Sequence, residues 1–191
     1  MIIAFIIWSI VATIFLGIGI RCRKSSEAVG FFTFVKTPVV DDTWANDEEG
    51  FYKWSAGILG SFPISEERMI EAASARDNSD TYFPFTAFDE SGPVGFFTMR
   101  IPGESNEEVR FGFVIIDPEI RGKGYGKQMM KLGLNFAFEL YGAKKVSLGV
   151  FENNEAAYYC YKSAGFEETG EEEMYAIMDT EWKCMEMEIR R

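Results

Sequence analysis

The chain has 191 residues, a formal net charge of -11 and no histidine. That length suits one domain with an appendage, and a hydrophobic share of 47% with 18 phenylalanines is enough for a sizeable core. The acidity excludes the basic face that nonspecific nucleic-acid binding requires, and the missing histidine excludes Ser-His-Asp and Cys-His catalysis, histidine bases and His-containing zinc sites.

Residues 2–20 carry no charge, with Trp8, Ser9 and Thr13 as the polar or amphipathic breaks. At about 1.5 Å per residue, such a run approaches the roughly 30 Å hydrocarbon core of a bilayer. Arg21, Arg23 and Lys24 follow at once. The expectation is an N-terminal transmembrane helix in residues 1–24 with the rest of the chain on the cytoplasmic side, a single-pass membrane protein. No positive region precedes the run and no A-x-A-like site ends it, so a cleaved signal peptide is the weaker reading. A buried apolar helix is the bland alternative. Residues 25–47 read as a linker. Its aromatic patch, Phe31, Phe32 and Phe34, would lie on the membrane surface or pack on the domain that follows.

Residues 48–191 form that domain. Residues 48–59 place Phe51, Trp54 and Leu59 at helical spacing, and Ser65 looks like the N-cap of a second helix. Residues 82–89 and 94–101 read as strands joined by the turn Glu90-Ser91-Gly92-Pro93. Residues 108–117 form an apolar strand that runs into Arg121-Gly122-Lys123-Gly124-Tyr125-Gly126-Lys127. A helix over 124–141 ends at Gly142 as a C′ glycine. Residues 145–151 form a buried strand, 156–164 a helix, and 173–189 a hairpin. The cysteines Cys22, Cys160 and Cys184 form no C-x-x-C pair and no metal spacing, so we expect reduced thiols and no metal.

A strand feeding a glycine-rich turn at a helix N-terminus is a place to hold phosphate. Backbone N–H groups there are unpaired and convergent, and the helix dipole adds partial positive charge. Glycines let the backbone approach a bulky anion, and Arg121 and Lys123 add mobile positive charge. Gly122, Gly124 and Gly126 give G-x-G-x-G rather than the dinucleotide pattern G-x-G-x-x-G. The P-loop pattern fails too, because Lys127 is followed by Gln128.

The combination Arg121, Gly124, Gly126 followed by Asn154, Ala157, Tyr161, Gly165 and Phe166 resembles the GCN5-related N-acetyltransferase superfamily over residues 48–189. The resemblance implies an α/β fold whose mixed, mostly antiparallel sheet splays open between helices. It implies acetyl-CoA as co-substrate, with Val114, Ile115 and Ile116 bonding the pantetheine arm through their backbone. The pyrophosphate would rest on Arg121, Gly122, Lys123, Gly124, Tyr125, Gly126 and Lys127, with Asn154 bonding the arm. Plain core strand, tight turn and helix N-cap are the structural readings of these same residues. Tyr161 is implied as the acid that protonates the leaving thiolate, with Tyr158 as its rival. For the general base, Glu108 is the choice and Glu152 the second candidate; both also read as solvated strand-edge charges.

The function expected is direct acetyl transfer to a primary amine, of a small molecule or of a protein N-terminus. The alternative is a non-catalytic acyl-CoA sensor beside the membrane. The acidity would serve solubility or draw in cationic amines. A homodimer is left open.

Overall fold

A computed structural model describes residues 31–33 and 42–191, except 66, 69–70, 73–79, 104 and 106. The uncharged run at 2–20 therefore lies outside the described residues. Among those described, no helix is long and apolar enough to cross a membrane.

The middle of the sheet is buried on both faces, as the run of six buried residues in its third strand shows. In β2 (Tyr82–Asp89) and β3 (Gly92–Arg100), Phe85 and Phe97 face one another in a stacked pair, with ring centroids 4.9 Å apart. The two strands pair antiparallel through a tight turn, where Asp89 Oδ1 accepts from the Ser91 amide at 2.8 Å. β4 (Glu108–Ile116) adds antiparallel to β3, and β5 (Lys145–Phe151) lies parallel to β4. β7 (Thr180–Arg190) pairs with β5, and β6 (Glu167–Ile177) pairs with β7 at the edge. The opposite edge is β1 (Phe31–Thr33), so the sheet order is β1-β2-β3-β4-β5-β7-β6. Every pairing except β4 with β5 is antiparallel.

One stretch read as linker thus belongs to the sheet: Phe31 pairs with Phe88 and Thr33 with Thr86. A single turn of 3-10 helix at Asp42–Ala45 follows, and it carries Trp44, which is 4% exposed against Phe96 and Ile115. Three strand residues are too few to show an alternating pattern, and one buried tryptophan shows no period, which is why neither signal stood out.

Helix α1 (Glu48–Ser55) begins at Asp47, whose side chain accepts from the Gly50 amide. Ser65 Oγ accepts from the Arg68 amide at 3.3 Å, as an N-cap should; Glu67, Arg68, Glu71 and Ala72 are helical around it. Helix α2 (Tyr125–Asn135) continues as a π-helical turn, Phe136–Tyr141, until Gly142 ends it in the left-handed conformation. Helix α3 is Glu155–Ala164.

Helices α2 and α3 cover one face of the sheet. Met129, Met130, Leu134 and Tyr161 pack there with Phe97, Phe111, Phe166 and Met187. Burying each such side chain contributes about 1.5–3 kcal/mol. The other face, over β4, β5 and β7, carries Glu108, Arg110, Ser147, Gly149, Cys184 and Glu186, and α1 covers part of it through Tyr52 and Ala56.

Candidate active site

The sheet splits where the sequence turns toward its glycines. β4 and β5 pair only over Glu108–Arg110 with Lys145–Ser147. Past that point β4 keeps β3 on one edge and, among the described residues, has no strand on the other. A β-bulge sits at the split. Phe96 opposes Ile115 and Thr98 opposes Gly112, so β4 carries one extra residue there, and Phe113 adopts φ 49°. The Trp54 indole N–H on α1 donates to the Phe113 carbonyl at 2.9 Å and pins the bulge from outside the sheet. Side chains of Val114 and Ile116 pack on the main core, while Ile115 packs with Trp44 and Phe96. The core reading of these three residues therefore holds for their side chains, and the backbone of this strand half lines the gap.

Above the split, the glycine turn opens α2. Gly122 and Gly124 have φ of 77° and 87°, a region that favours glycine. No heavy atom lies within 4 Å of where a Cβ on Gly122 would stand. The helix start has no side-chain cap and no acidic residue in its first turn. The starts of α1, of the 3-10 turn Pro118–Ile120 and of α3 differ: Asp47, Asp117 and Asn154 each cap theirs, and each has a glutamate in its first turn. Of the α2 amides, that of Gln128 finds the carbonyl of Gly124, at 3.1 Å. The N–H groups before it form an open, anion-attracting mouth.

The two cations of the turn are not mobile as the sequence suggested. Arg121 donates from Nε to the Ile116 carbonyl and from Nη2 to the Trp44 carbonyl, both at 3.1 Å. Lys123 Nζ donates to the Glu119 carbonyl at 3.3 Å. Arg121 thus ties the glycine turn to the end of β4 and to the 3-10 turn, and places its charge by that tie. Gly126 faces α3 closely: a Cβ there would stand 3.0 Å from Cys160 Sγ. Tyr125 donates its hydroxyl to Asp89 Oδ2 at 2.8 Å. Lys127 is exposed and lies close enough to Cys160 to oppose the rise that burial imposes on that thiol.

Asn154 is the N-cap of α3, its Oδ1 accepting from the Ala157 amide at 3.3 Å. Two turns on, Tyr161 is buried at 6% exposure. Burial pushes its phenol well above the ordinary range, with smaller contributions from Cys160 and Cys184. Among the described residues its hydroxyl has no hydrogen-bond partner, and its ring packs near Phe166. The rival Tyr158 donates its hydroxyl to Glu168, so its proton is already engaged.

The base candidates are less open. Glu108 Oε2 pairs with Lys145 Nζ at 2.7 Å, and Oε1 accepts from Ser147 Oγ at 3.1 Å. It stands on the paired half of β4, before the bulge, where it ties β4 to β5. Glu152 pairs with Lys183 at 2.6 Å. At the split itself stands a group that sequence reasoning missed. Arg110 reaches over Gly149 of β5 and binds Glu186 of β7 through both carboxylate oxygens. A Cβ on Gly149 would meet Cys184 Sγ at 2.8 Å, Arg110 Nη2 at 3.1 Å and Glu186 Oε1 at 3.2 Å. Tyr175 and Cys184 share this neighbourhood; burial pushes them up to about 12 and about 11. No group of acidic or cysteine side chains among the described residues suits a metal.

Comparison with known proteins accords with this architecture. The model of the Acetyltransferase (GNAT) family matches residues 42–166. The spermine/spermidine N(1)-acetyltransferase of Bacillus subtilis is 36% identical over 95 residues, which cover 47% of this chain and 62% of that protein. A peptidyl-lysine N-acetyltransferase of Salmonella typhimurium is 35% identical over 86 residues, 45% of this chain and 50% of that one. The chain thus spans only 50–62% of the length of these curated relatives. Among solved structures, the spermidine N-acetyltransferase from Vibrio cholerae in complex with CoA and spermine shares the fold. Its TM-score is 0.69 at 19% identity, over 84% of this chain and 95% of that one. The family match begins at the 3-10 turn that holds Trp44, runs through the split and both glycine and asparagine motifs, and takes in more than half of the chain: this protein belongs to the Acetyltransferase (GNAT) family.

Proposed function

We propose that this protein is an acetyl-CoA-dependent N-acetyltransferase whose acceptor is a primary amine of a polyamine. The observation that carries the reading is the split between β4 and β5 beneath an uncapped helix start. An extended arm fits the strand edge beyond Arg110, and a pyrophosphate fits the amides from Gly122 to Lys127. No Cβ blocks the Gly122 approach, and no carboxylate competes within the first turn of α2. Val114, Ile115 and Ile116 serve through their backbone. Arg121 and Lys123 serve by shaping the turn and by placing charge beside it. Asn154 keeps its amide nitrogen for the arm while its oxygen caps α3.

Transfer is direct. The amine lone pair attacks the acetyl carbonyl carbon, the carbon–sulfur bond breaks, the leaving thiolate takes the Tyr161 phenolic proton, and the proton lost from the acylated nitrogen returns through water to the tyrosinate. Burial holds that phenol protonated across the physiological range. The same burial penalises a thiolate, so the thiol rises along with the phenol from their values in water of about 8.5 and 10. A polyamine ammonium has a pKa near that of lysine, about 10.4, so a proton must leave before attack. Glu108 is engaged by Lys145 and Ser147, and we assign that proton to water rather than to Glu108. The polyamine assignment is supported by the spermine/spermidine N(1)-acetyltransferase likeness and by the net charge of -11, which draws in polycations.

The test is thiol release from acetyl-CoA by the purified chain with spermine, spermidine, a lysine peptide and a peptide with a free N-terminus. Release with the polyamines is the expected result. Release with the peptides alone moves the acceptor to protein amines. Binding of acetyl-CoA without release on any amine overturns the enzymatic reading in favour of a sensor. We further place the domain on the cytoplasmic face of a membrane, from residues 2–20 and the cations behind them. Fractionation of cells expressing the full chain checks this, and a full chain that stays soluble rejects it.

A further inference from the structure

Asp89 ends β2, and Tyr125 begins α2; a hydrogen bond of 2.8 Å joins their side chains across 36 positions. Nothing in the local sequence of either residue announces it. The carboxylate is fixed from its own side before it meets the tyrosine. Its Oδ1 accepts from the Ser91 amide at 2.8 Å and from the Ser91 hydroxyl at 2.6 Å. These bonds, with that from Tyr125, hold Asp89 below the ordinary carboxylate range, so it accepts as an anion. The Tyr125 ring is half-buried and packs against the main core. Both ends of the bond are therefore held by rigid neighbours: a hairpin turn and a packed ring.

Position makes this bond more than a surface tie. Gly122 and Gly124 precede Tyr125, and both sit at positive φ with no side chain to brace them. Gly124 caps α2 without a side-chain bond, and the ties of Arg121 and Lys123 hold the turn before it rather than the first helical residue. Tyr125 is the first residue after those glycines that a side chain can hold, and its own N–H belongs to the open mouth. Fixing Tyr125 from the β2–β3 turn fixes the direction in which the amides point. A carboxylate near an anion site would also repel its ligand; here three donors surround it and soften that field.

We propose that Asp89 and Tyr125 form a clasp that orients the amide donors of the glycine turn, and that this clasp sets the affinity for the pyrophosphate end of acetyl-CoA. Asp89 acts as a positioning residue and touches no substrate. The inference rests on the acetyl-CoA reading given above.

The experiment is calorimetric titration of CoA and steady-state kinetics on Tyr125→Phe, Asp89→Ala, Asp89→Asn and the double variant Tyr125→Phe/Asp89→Ala. Tyr125→Phe keeps the ring and its packing, so it reports on the bond alone. It should weaken CoA binding about 10-fold, the scale of one hydrogen bond to a charged group. Asp89→Ala should do the same, and the double variant should be no worse than either single, because both remove one interaction. Asp89→Asn keeps an acceptor and should recover most of the affinity. The loss should fall on KM for acetyl-CoA and not on KM for the amine. Acetyl-pantetheine, which lacks the pyrophosphate, should be used equally well by wild type and Tyr125→Phe. Additive losses in the double variant, an equal loss with acetyl-pantetheine, or unchanged CoA affinity in folded Tyr125→Phe would each overturn the clasp. If Asp89→Ala does not fold, Tyr125→Phe and Asp89→Asn decide alone. Wild-type protein that binds no CoA would instead bring down the cofactor reading beneath it.

Discussion

The turn at Gly122–Gly124 and the crossing at Gly149 both depend on a missing Cβ, for opposite reasons. At Gly122 nothing of the protein lies within 4 Å of the absent carbon; at Gly149 the nearest side-chain atoms are Cys184 Sγ at 2.8 Å and Arg110 Nη2 at 3.1 Å. The first glycine leaves room for something the chain does not contain. The second makes room for the chain's own ion pair. A glycine of the first kind should govern binding, and one of the second kind stability. Tyr161 stands between the two: it feels Cys160, which lies beside Gly126, and Cys184, which lies beside Gly149.

The largest expected effect is therefore at Tyr161. Tyr161→Phe should lower kcat by about 10²–10⁴-fold, the usual contribution of a positioned acid. CoA affinity measured by calorimetry should barely move. Full activity in this variant, with loss in Tyr158→Phe, would transfer the acid to the neighbouring turn. Because burial raises the Tyr161 phenol, the acid form persists as pH rises, and kcat should show no basic limb below about pH 10. A limb near pH 8 that disappears in Tyr161→Phe would contradict this sign.

Gly124→Glu comes next and attacks the open turn. It forces a side chain into φ 87° and sets a carboxylate at the helix start. Together these should cost about 2–4 kcal/mol of binding, or roughly 30- to 1,000-fold in Kd. Circular dichroism should report an intact fold. Unchanged affinity in a folded variant removes the phosphates from this turn.

Gly149→Ala should behave the other way. Its methyl group would press on Cys184 and the Arg110–Glu186 pair, destabilising the fold by about 1–3 kcal/mol while leaving CoA affinity within about 3-fold. Urea denaturation beside calorimetry reads both. If Gly149→Ala weakens CoA binding more than it weakens the fold, the contrast between the two glycines fails. The smallest effect belongs to Asn154→Ala, which removes the α3 cap and should destabilise by about 1 kcal/mol. Asn154→Ser restores the cap but not the amide nitrogen. Affinity that stays low in the serine variant while stability returns would separate the arm contact from the cap.

The open region was legible in the sequence and the crowded one was not. Gly122, Gly124, Gly126 and the Asn154-to-Tyr161 spacing are local patterns, fixed by a turn and by helical geometry. Arg121 was legible as a charge but not as a tie, because its partner Trp44 lies 77 positions away. The Arg110–Glu186 pair needs the parallel pairing of β4 with β5 and the antiparallel pairing of β5 with β7 before its members meet. No window along the chain contains that register. The ion pair of Glu108 was hidden for the same reason: Lys145 comes opposite it only through the parallel pairing. The β-bulge at Phe113 was unannounced too, since nothing in Arg-Phe-Gly-Phe-Val marks which residue takes a positive φ.

The bond from the Trp54 indole to the Phe113 carbonyl gives the protein a built-in optical reporter. An indole whose N–H is fixed to the bulge will change its emission when a molecule lies along that strand and alters the local polarity. Trp182, bonded to Thr180 in the far hairpin, offers a steadier background signal. Acetyl-CoA arrival can then be followed by fluorescence on the unlabelled chain, with Trp54→Phe as the control that should remove the Trp54 share and leave that of Trp44, which packs on Ile115 of the same strand.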